Sequence, residues 1–195
     1  MAERTGQVAR KTRETDIAVT WRLDGAGLAD IDTGVPFFDH MLDQLARHGL
    51  IDLTLAVKGD LNVDEHHTVE DSGIALGEAF AAAVGDKAGI SRYATQFVPM
   101  DEALACVSVD VSGRGFLHYN VGCPDATVGG VPSQLFEEFF RAFATSAKIT
   151  LHINALYGVN THHMLEAVFK ATGRALRFAL ETDPRGSGIP STKGV

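Results

Sequence analysis

An α+β fold is predicted, built from two fused pseudo-repeats, each a mostly antiparallel sheet with helices packed on one face. Three observations lead there. The pattern HHxxE occurs twice, as His66, His67 and Glu70 within DEHHTVED, and as His162, His163 and Glu166 within NTHHMLEAVFK. The first histidines stand 162 − 66 = 96 positions apart, close to half of the 195 residues. Shifting the chain by that interval also brings Val35-Pro36 onto Val131-Pro132, Leu53-Thr54-Leu55 onto Ile149-Thr150-Leu151, and Gly77 onto Gly173. Self-similarity at a fixed interval marks a duplicated unit. Finally, strand-like and helix-like stretches do not simply alternate as βαβ units, which favours helices covering one face of a sheet. The halves run approximately 1–96 and 97–195. No Pro/Gly/Ser-rich linker parts them, so one fused body is expected.

Each half has the same element order. Strand-like stretches come first, at 16–23 and 105–119. A helix follows, at 38–48 and 133–146, then a strand at 51–58 and 149–154. A longer helix closes each half, at 65–84 and 162–181. Leu165, Phe169, Leu176 and Leu180 recur at helical spacing in the last of these. Asp64 or Thr161 can cap the start.

Composition narrows the function. Hydrophobic content of 45% supports a packed core, and the net charge is −8. An acidic chain lacks the basic face that nucleic-acid binding requires. The two cysteines, Cys106 and Cys123, form no CxxC motif, so a reducing cytoplasm is expected. The first residues have no apolar core of a signal peptide, and no apolar run is long enough to cross a bilayer.

On a helix, residues i and i+4 share a face, so His66 with Glu70, and His162 with Glu166, can each grip one ion. Adjacent residues diverge by about 100°. His67 and His163 must therefore point elsewhere. Crossing the repeats resolves this: one ion takes His66, Glu70 and His163, the other His162, Glu166 and His67. Imidazole with carboxylate and no thiol suits Mn, Fe, Co, Ni or Zn, and Mn if the coordination is octahedral with open positions. A single histidine pair on a helix is usually just solvated; repetition in register is what favours metal here.

Several long stretches carry a family resemblance: FFDHMLDQLARHG from Phe37, GDLNVDEHHTVED from Gly59, PMDEALA from Pro99, DVSGR from Asp110, ITLHINALYGVNTHHMLEAVFKATGRAL from Ile149 and GIPSTKG from Gly188. Along almost its whole length the chain resembles the imidazoleglycerol-phosphate dehydratase family of histidine biosynthesis. The resemblance implies a duplicated α+β fold and the dehydration of D-erythro-imidazole glycerol phosphate to imidazole acetol phosphate. It further implies two Mn ions per chain and a homo-oligomeric shell of 24 subunits built from trimers. It adds His40 to the set holding His67, His162 and Glu166. To the set holding His66, Glu70 and His163 it adds Glu138, although many members carry EHFF where this chain reads EEFF from Glu137.

The chemistry fits two cations. An imidazole bound at both nitrogens favours imidazolate, which can expel the hydroxyl through a diazafulvene-like intermediate while an acid and a base move protons. The resemblance assigns that transfer to Glu14, which by itself reads as a solvated charge. Glu166 and His67 complete the expected catalytic set. Arg92, Arg114, Lys170, Ser191 and Lys193 are implied as a phosphate pocket; Lys170, one turn after Glu166, has independent support from helical spacing. Asp43 and His48 are implied to line the substrate, though His48 also suits a helix C-terminus through the dipole. His118 and His152 read as sheet-face residues, and Asp101-Glu102 as structural or interfacial. Two other functions are open, a dinuclear hydrolase and a metal-storage shell. The scarcity of aspartate in the motifs opposes the first; the cation set and Glu14 oppose the second.

Overall fold

The computed structural model describes residues 3–186 and 188–192, so Lys193 lies outside the described residues. The first unit runs β1 (Thr5–Lys11), β2 (Thr15–Arg22), β3 (Ala29–Asp32), α1 (Pro36–Gly49), β4 (Asp52–Gly59) and α2 (His66–Val84). The second runs β5 (Tyr93–Met100), β6 (Ala103–Asp110), β7 (Phe116–Asn120), a small hairpin of β8 (Thr127–Val128) and β9 (Val131–Pro132), then α3 (Leu135–Ala147), β10 (Thr150–Tyr157) and α4 (Thr161–Leu180). The sheets have matching orders, β1-β2-β4-β3 and β5-β6-β10-β7. Each is mixed, with two antiparallel pairings and one parallel pairing, β3 with β4 and β7 with β10. The parallel pairs are those joined through α1 and α3, because parallel neighbours need a long crossover. Residues 85–92 connect α2 to β5, and Gln96-Phe97 lies inside β5.

Strand alternation decides which face meets the helices. In β2, Thr15, Ile17, Val19 and Trp21 are buried; in β6, Ala103, Ala105, Val107 and Val109 are. The stretch expected at 105–119 is two strands, parted by the Ser112-Gly113-Arg114 turn. Sequence reading missed β1, β3 and β5. In β1 only Gly6 is buried, and β5 has no fully buried residue, so neither carries an apolar alternation to read.

The repeat register also differs locally. Leu50 and Lys148 are equivalent left-handed C-caps of α1 and α3. After each, an isoleucine N–H donates back into the helix: Ile51 to Ala46 O (3.0 Å) and Ile149 to Ala144 O (3.1 Å). Ile149 therefore corresponds to Ile51, not to Leu53. Likewise Pro36 opens α1, whereas Val131-Pro132 forms β9, ahead of α3. The connection 60–65 before α2 is longer than 158–160 before α4, and this restores the register at the histidines.

The helices pack across the units, α1 on α4 and α2 on α3. Glycine permits it. A Cβ on Gly173 would stand 2.3 Å from Leu45 O, one on Gly49 3.2 Å from Gly173 O, and one on Gly77 2.7 Å from Phe143 O. The aligned pair Gly77 and Gly173 thus marks the two helix crossings. We expect Gly173→Ala to destabilise the protein by about 1–3 kcal/mol, despite the roughly 1 kcal/mol that alanine gains over glycine in a helix interior. The urea midpoint is the measurement. Gly122→Ala, with nothing within 4 Å, should stay within about 0.5 kcal/mol.

Candidate active site

Pro36 at the first turn of α1 and the Asn160 N-cap of α4 fix two helix starts side by side. Asn160 Oδ1 accepts from His162 N (2.9 Å) and His163 N (3.3 Å). Asn160, not Thr161, is therefore the cap; the Thr161 hydroxyl donates to Asp125 (3.0 Å). At α2 the N-cap is Glu65, without a side-chain cap bond, and Asp64 Oδ1 accepts from His66 N (2.8 Å) in the turn that leads into the helix.

His40 of α1 meets His162 and Glu166 of α4. His40 Nε2 lies 3.2 Å and His162 Nε2 3.0 Å from Glu166 Oε2. Among the described residues these three are the one group whose ligand atoms all lie within 4.8 Å of one another. Two imidazoles and a carboxylate are a donor set suited to a divalent transition ion. Glu166 is 7% exposed, and its second oxygen faces Lys170 Nζ at 2.5 Å. Burial pushes its carboxyl up, but hydrogen bonds from Lys170, His162 and His40 outweigh this and hold it at about 2. The site thus keeps an ionised, oriented carboxylate.

The other pattern is more open. His66 Nε2 lies 3.5 Å from Glu70 Oε2, the expected i,i+4 pair. His67 turns away, as helical geometry requires. Its Nδ1 lies 3.0 Å from Asp60 Oδ2, and its Nε2 faces Glu14 Oε1 at 3.8 Å. His163 repeats this: Nδ1 lies 2.7 Å from Glu102 Oε2, and Nε2 faces Asp101 at 3.8 Å. Hydrogen bonding to Asp60 raises the His67 pKa, and hydrogen bonding to Glu102 raises that of His163. Glu102 itself is held at about 2 by His163 and by the Asn160 N–H. Carboxylates on one ring nitrogen fix the tautomer and orient the other, as partners behind metal-binding histidines do. Within one chain neither His67 nor His163 joins the opposite HHxxE pair in a close group.

Glu138 occupies a telling place. It sits ten residues before the Lys148 cap of α3, as His40 sits ten before the Leu50 cap of α1. Contacts of Gly73 with Phe139 and of Gly77 with Phe143 advance together, so α2 and α3 run the same way, with Glu138 at the end that carries Glu70. Its recorded partner is Arg141, at 3.7 Å.

Glu14 is at the tip of the β1–β2 hairpin. The Thr12 hydroxyl accepts from Glu14 N (3.1 Å) and Thr15 N (3.0 Å). Buried Asp71 of α2 receives the Thr15 hydroxyl (2.5 Å) and pairs with Arg10 (2.6 Å), clamping the hairpin to the helix that bears His67. Sequence reading missed Asp60 and Asp71, and it read Glu102 as structural or interfacial without placing it beside His163. Asp60 lies seven residues before His67 without a motif, and Glu102 is 61 positions from its histidine.

Arg92, Arg114 and Ser191 line a pocket of about 500 Å³, with Ser112 and Gly113. Lys170 is instead committed to Glu166. Asp43 is exposed on α1, one turn beyond His40. His48 has a lowered pKa, through burial and then the charges of Lys170 and Arg174. His118 and His152 are cross-strand neighbours with ring centroids 5.3 Å apart. No helix among the described residues is long and apolar enough to cross a membrane.

Residues 33–176 match the family pattern of imidazoleglycerol-phosphate dehydratase. The imidazoleglycerol-phosphate dehydratase of Symbiobacterium thermophilum is 63% identical over all 195 residues, which cover 94% of that protein. That of Pseudomonas paraeruginosa is 60% identical, with 100% and 99% of the two chains covered. The crystal structure of the Staphylococcus aureus enzyme superposes with a TM-score of 0.83 at 38% identity, covering 92% of this chain and 99% of that one. The Pyrococcus furiosus structure gives 0.84 at 37% identity, covering 96% and 99%. The chain belongs to the imidazoleglycerol-phosphate dehydratase family, hydro-lyases of histidine biosynthesis.

Proposed function

We propose that this chain converts D-erythro-imidazole glycerol phosphate to imidazole acetol phosphate as a single, internally duplicated cytoplasmic enzyme domain. The observation that carries the site assignment is the convergence of His40, His162 and Glu166 from two helices. His40, His162 and Glu166 hold one Mn ion with His67 as the fourth ligand. Glu138, His66 and Glu70 hold a second with His163. The matched positions of His40 and Glu138 support this pairing. The outward turn of His67 and His163 supports their reaching sets on neighbouring chains, within a homo-oligomer of 24 subunits built from trimers. Two cations held there would favour the imidazolate form of the substrate ring, the electron source for loss of the hydroxyl through a diazafulvene-like species.

The remaining work falls to side chains. Glu14 carries an exposed carboxylate on a clamped hairpin and moves the proton that C–H cleavage and loss of the hydroxyl require. Asp60 and Glu102 hold the second histidines in one tautomer. Lys170 keeps Glu166 ionised. Arg92, Arg114, Ser191 and Lys193 take the phosphate, and Asp43 and His48 flank the bound substrate.

The test is ketone formation by Mn-loaded protein given imidazole glycerol phosphate; a loaded protein that forms none overturns the reading. Glu14→Gln should keep both ions and lose at least about a hundredfold in kcat, since general acid–base groups contribute on that scale. Metal analysis of His40→Ala and Glu138→Ala should each give about one ion per chain. Two retained ions in Glu138→Ala would remove it from the ligand set. Mn affinity should fall as pH drops through a value above the ordinary imidazole pKa of about 6.5, because ligation needs the neutral rings of His67 and His163, whose pKa values are raised. Titration of Mn across pH checks the direction.

A further inference from the structure

The pocket containing Arg92 and Arg114 has a second cationic wall. Lys87 lines it from the loop between α2 and β5. The lysine ammonium lies 3.6 Å from where a Cβ on Gly113 would stand, above the Ser112-Gly113-Arg114 turn. Arg92 is largely engaged. Its Nε and Nη2 donate to Asp110 (2.7 and 3.3 Å), and its Nη1 donates to Pro190 O (2.5 Å). Arg114 also reaches Asp110, at 3.6 Å. Neighbouring Asp86 accepts from Ala88 N (2.9 Å). Lys87 makes no ion pair or hydrogen bond among the described residues, so its charge is uncompensated. A lone ammonium facing a pocket that already holds two guanidinium groups raises repulsion, unless an anion sits between them.

The backbone gives a second, independent observation. Among the described residues, five non-glycine positions have positive φ. Leu50 and Lys148 are helix C-caps, which explains them. Asp101 forms the β5–β6 turn. The remaining two, Lys87 (φ 65°) and Arg92 (φ 70°), both line this one pocket. Side chains other than glycine, asparagine and aspartate rarely adopt this conformation, and such strain concentrates at ligand sites.

We propose that Lys87 is a phosphate-binding residue, its ammonium taking phosphate oxygens together with Arg114 and with Arg92, whose guanidinium is held in place by Asp110 and Pro190 O. This rests on the dehydratase reading, which supplies the phosphorylated substrate. A compact ammonium binds phosphate as a point charge and complements the planar forks of the arginines.

The experiment separates the two ideas by using inorganic phosphate as a direct probe alongside turnover. The Mn-loaded full-length protein, Lys87→Met and Lys87→Arg are titrated with phosphate by 31P NMR. Their KM and kcat with imidazole glycerol phosphate are measured in parallel. Lys87→Met should weaken phosphate binding and raise KM by about tenfold, with the loss in kcat/KM carried by KM, and Lys87→Arg should recover most of both. Phosphate affinity within twofold of wild type in Lys87→Met, or absence of phosphate binding in the wild type, overturns the assignment. Absence of turnover in wild-type protein with phosphate binding that still depends on Lys87 refutes the dehydratase reading and leaves the phosphate site standing.

Discussion

Backbone-to-backbone contact between paired helices is the constraint on which the site depends. α1 and α4 touch where Gly49 and Gly173 meet, and no side chain fits between them. From that point both helices run back to their N-terminal ends in the same direction. His40 lies nine residues before Gly49, and Glu166 seven before Gly173. A rigid helix rises about 1.5 Å per residue, so this distance is set by geometry rather than by loops. The histidines and the carboxylate converge because the crossing is tight. A wider crossing would part Nε2 of His40 from Glu166, leaving the buried carboxylate with fewer donors.

Electrostatics then decides what the convergence can do. A buried carboxylate is costly unless it is paired and hydrogen-bonded. Glu166 has Lys170 on one oxygen and two imidazoles on the other, so it is ionised and aimed at one point. The outer histidines follow the same logic at the surface, each with a carboxylate on Nδ1. Asp60 comes from the turn after β4, whereas Glu102 comes from a hairpin tip, so the two units reach one arrangement from different parts of the fold.

Much of this was legible in the chain. The HHxxE repeat foretold two helix starts with i,i+4 pairs, and spacing placed Lys170 beside Glu166. The Gly77 and Gly173 match carried more than it disclosed, since nothing in a sequence says that a helical glycine faces another helix. The Leu53 and Ile149 match was misleading. Leu53 is an inward residue of β4 and Ile149 a buried residue just before β10, and an even shift preserves strand alternation, so apolar pattern cannot detect a two-residue slip. Edge strands β1 and β5 were invisible because they bury too little. The roles of Asp60 and Asp71, and the pairing of Glu102 with His163, were also invisible, because they depend on which loop folds against which helix.

The repeat is not electrically symmetric, and this bears on two similar sites serving one ring. On the proposed assignment the set around α4 has one carboxylate, Glu166, paired with Lys170, and three imidazoles, those of His40, His162 and His67. At the place equivalent to Lys170, α2 has Ile74. On the proposed assignment the set around α2 has two carboxylates, Glu70 and Glu138, and no ammonium from its own helix. Arg141 reaches Glu138 at 3.7 Å, but Glu137 is its closer partner. A cation in the α2 set would therefore meet one ligand carboxylate more, would be bound more firmly, and would withdraw less charge from a bound nitrogen. One in the α4 set would meet a single ligand carboxylate already paired with Lys170, and would polarise its nitrogen more strongly. Duplication supplied two similar grips. Ile74 and Glu138, standing where the other unit has Lys170 and His40, make them unequal, so the two nitrogens of a bound imidazole would be polarised to different degrees.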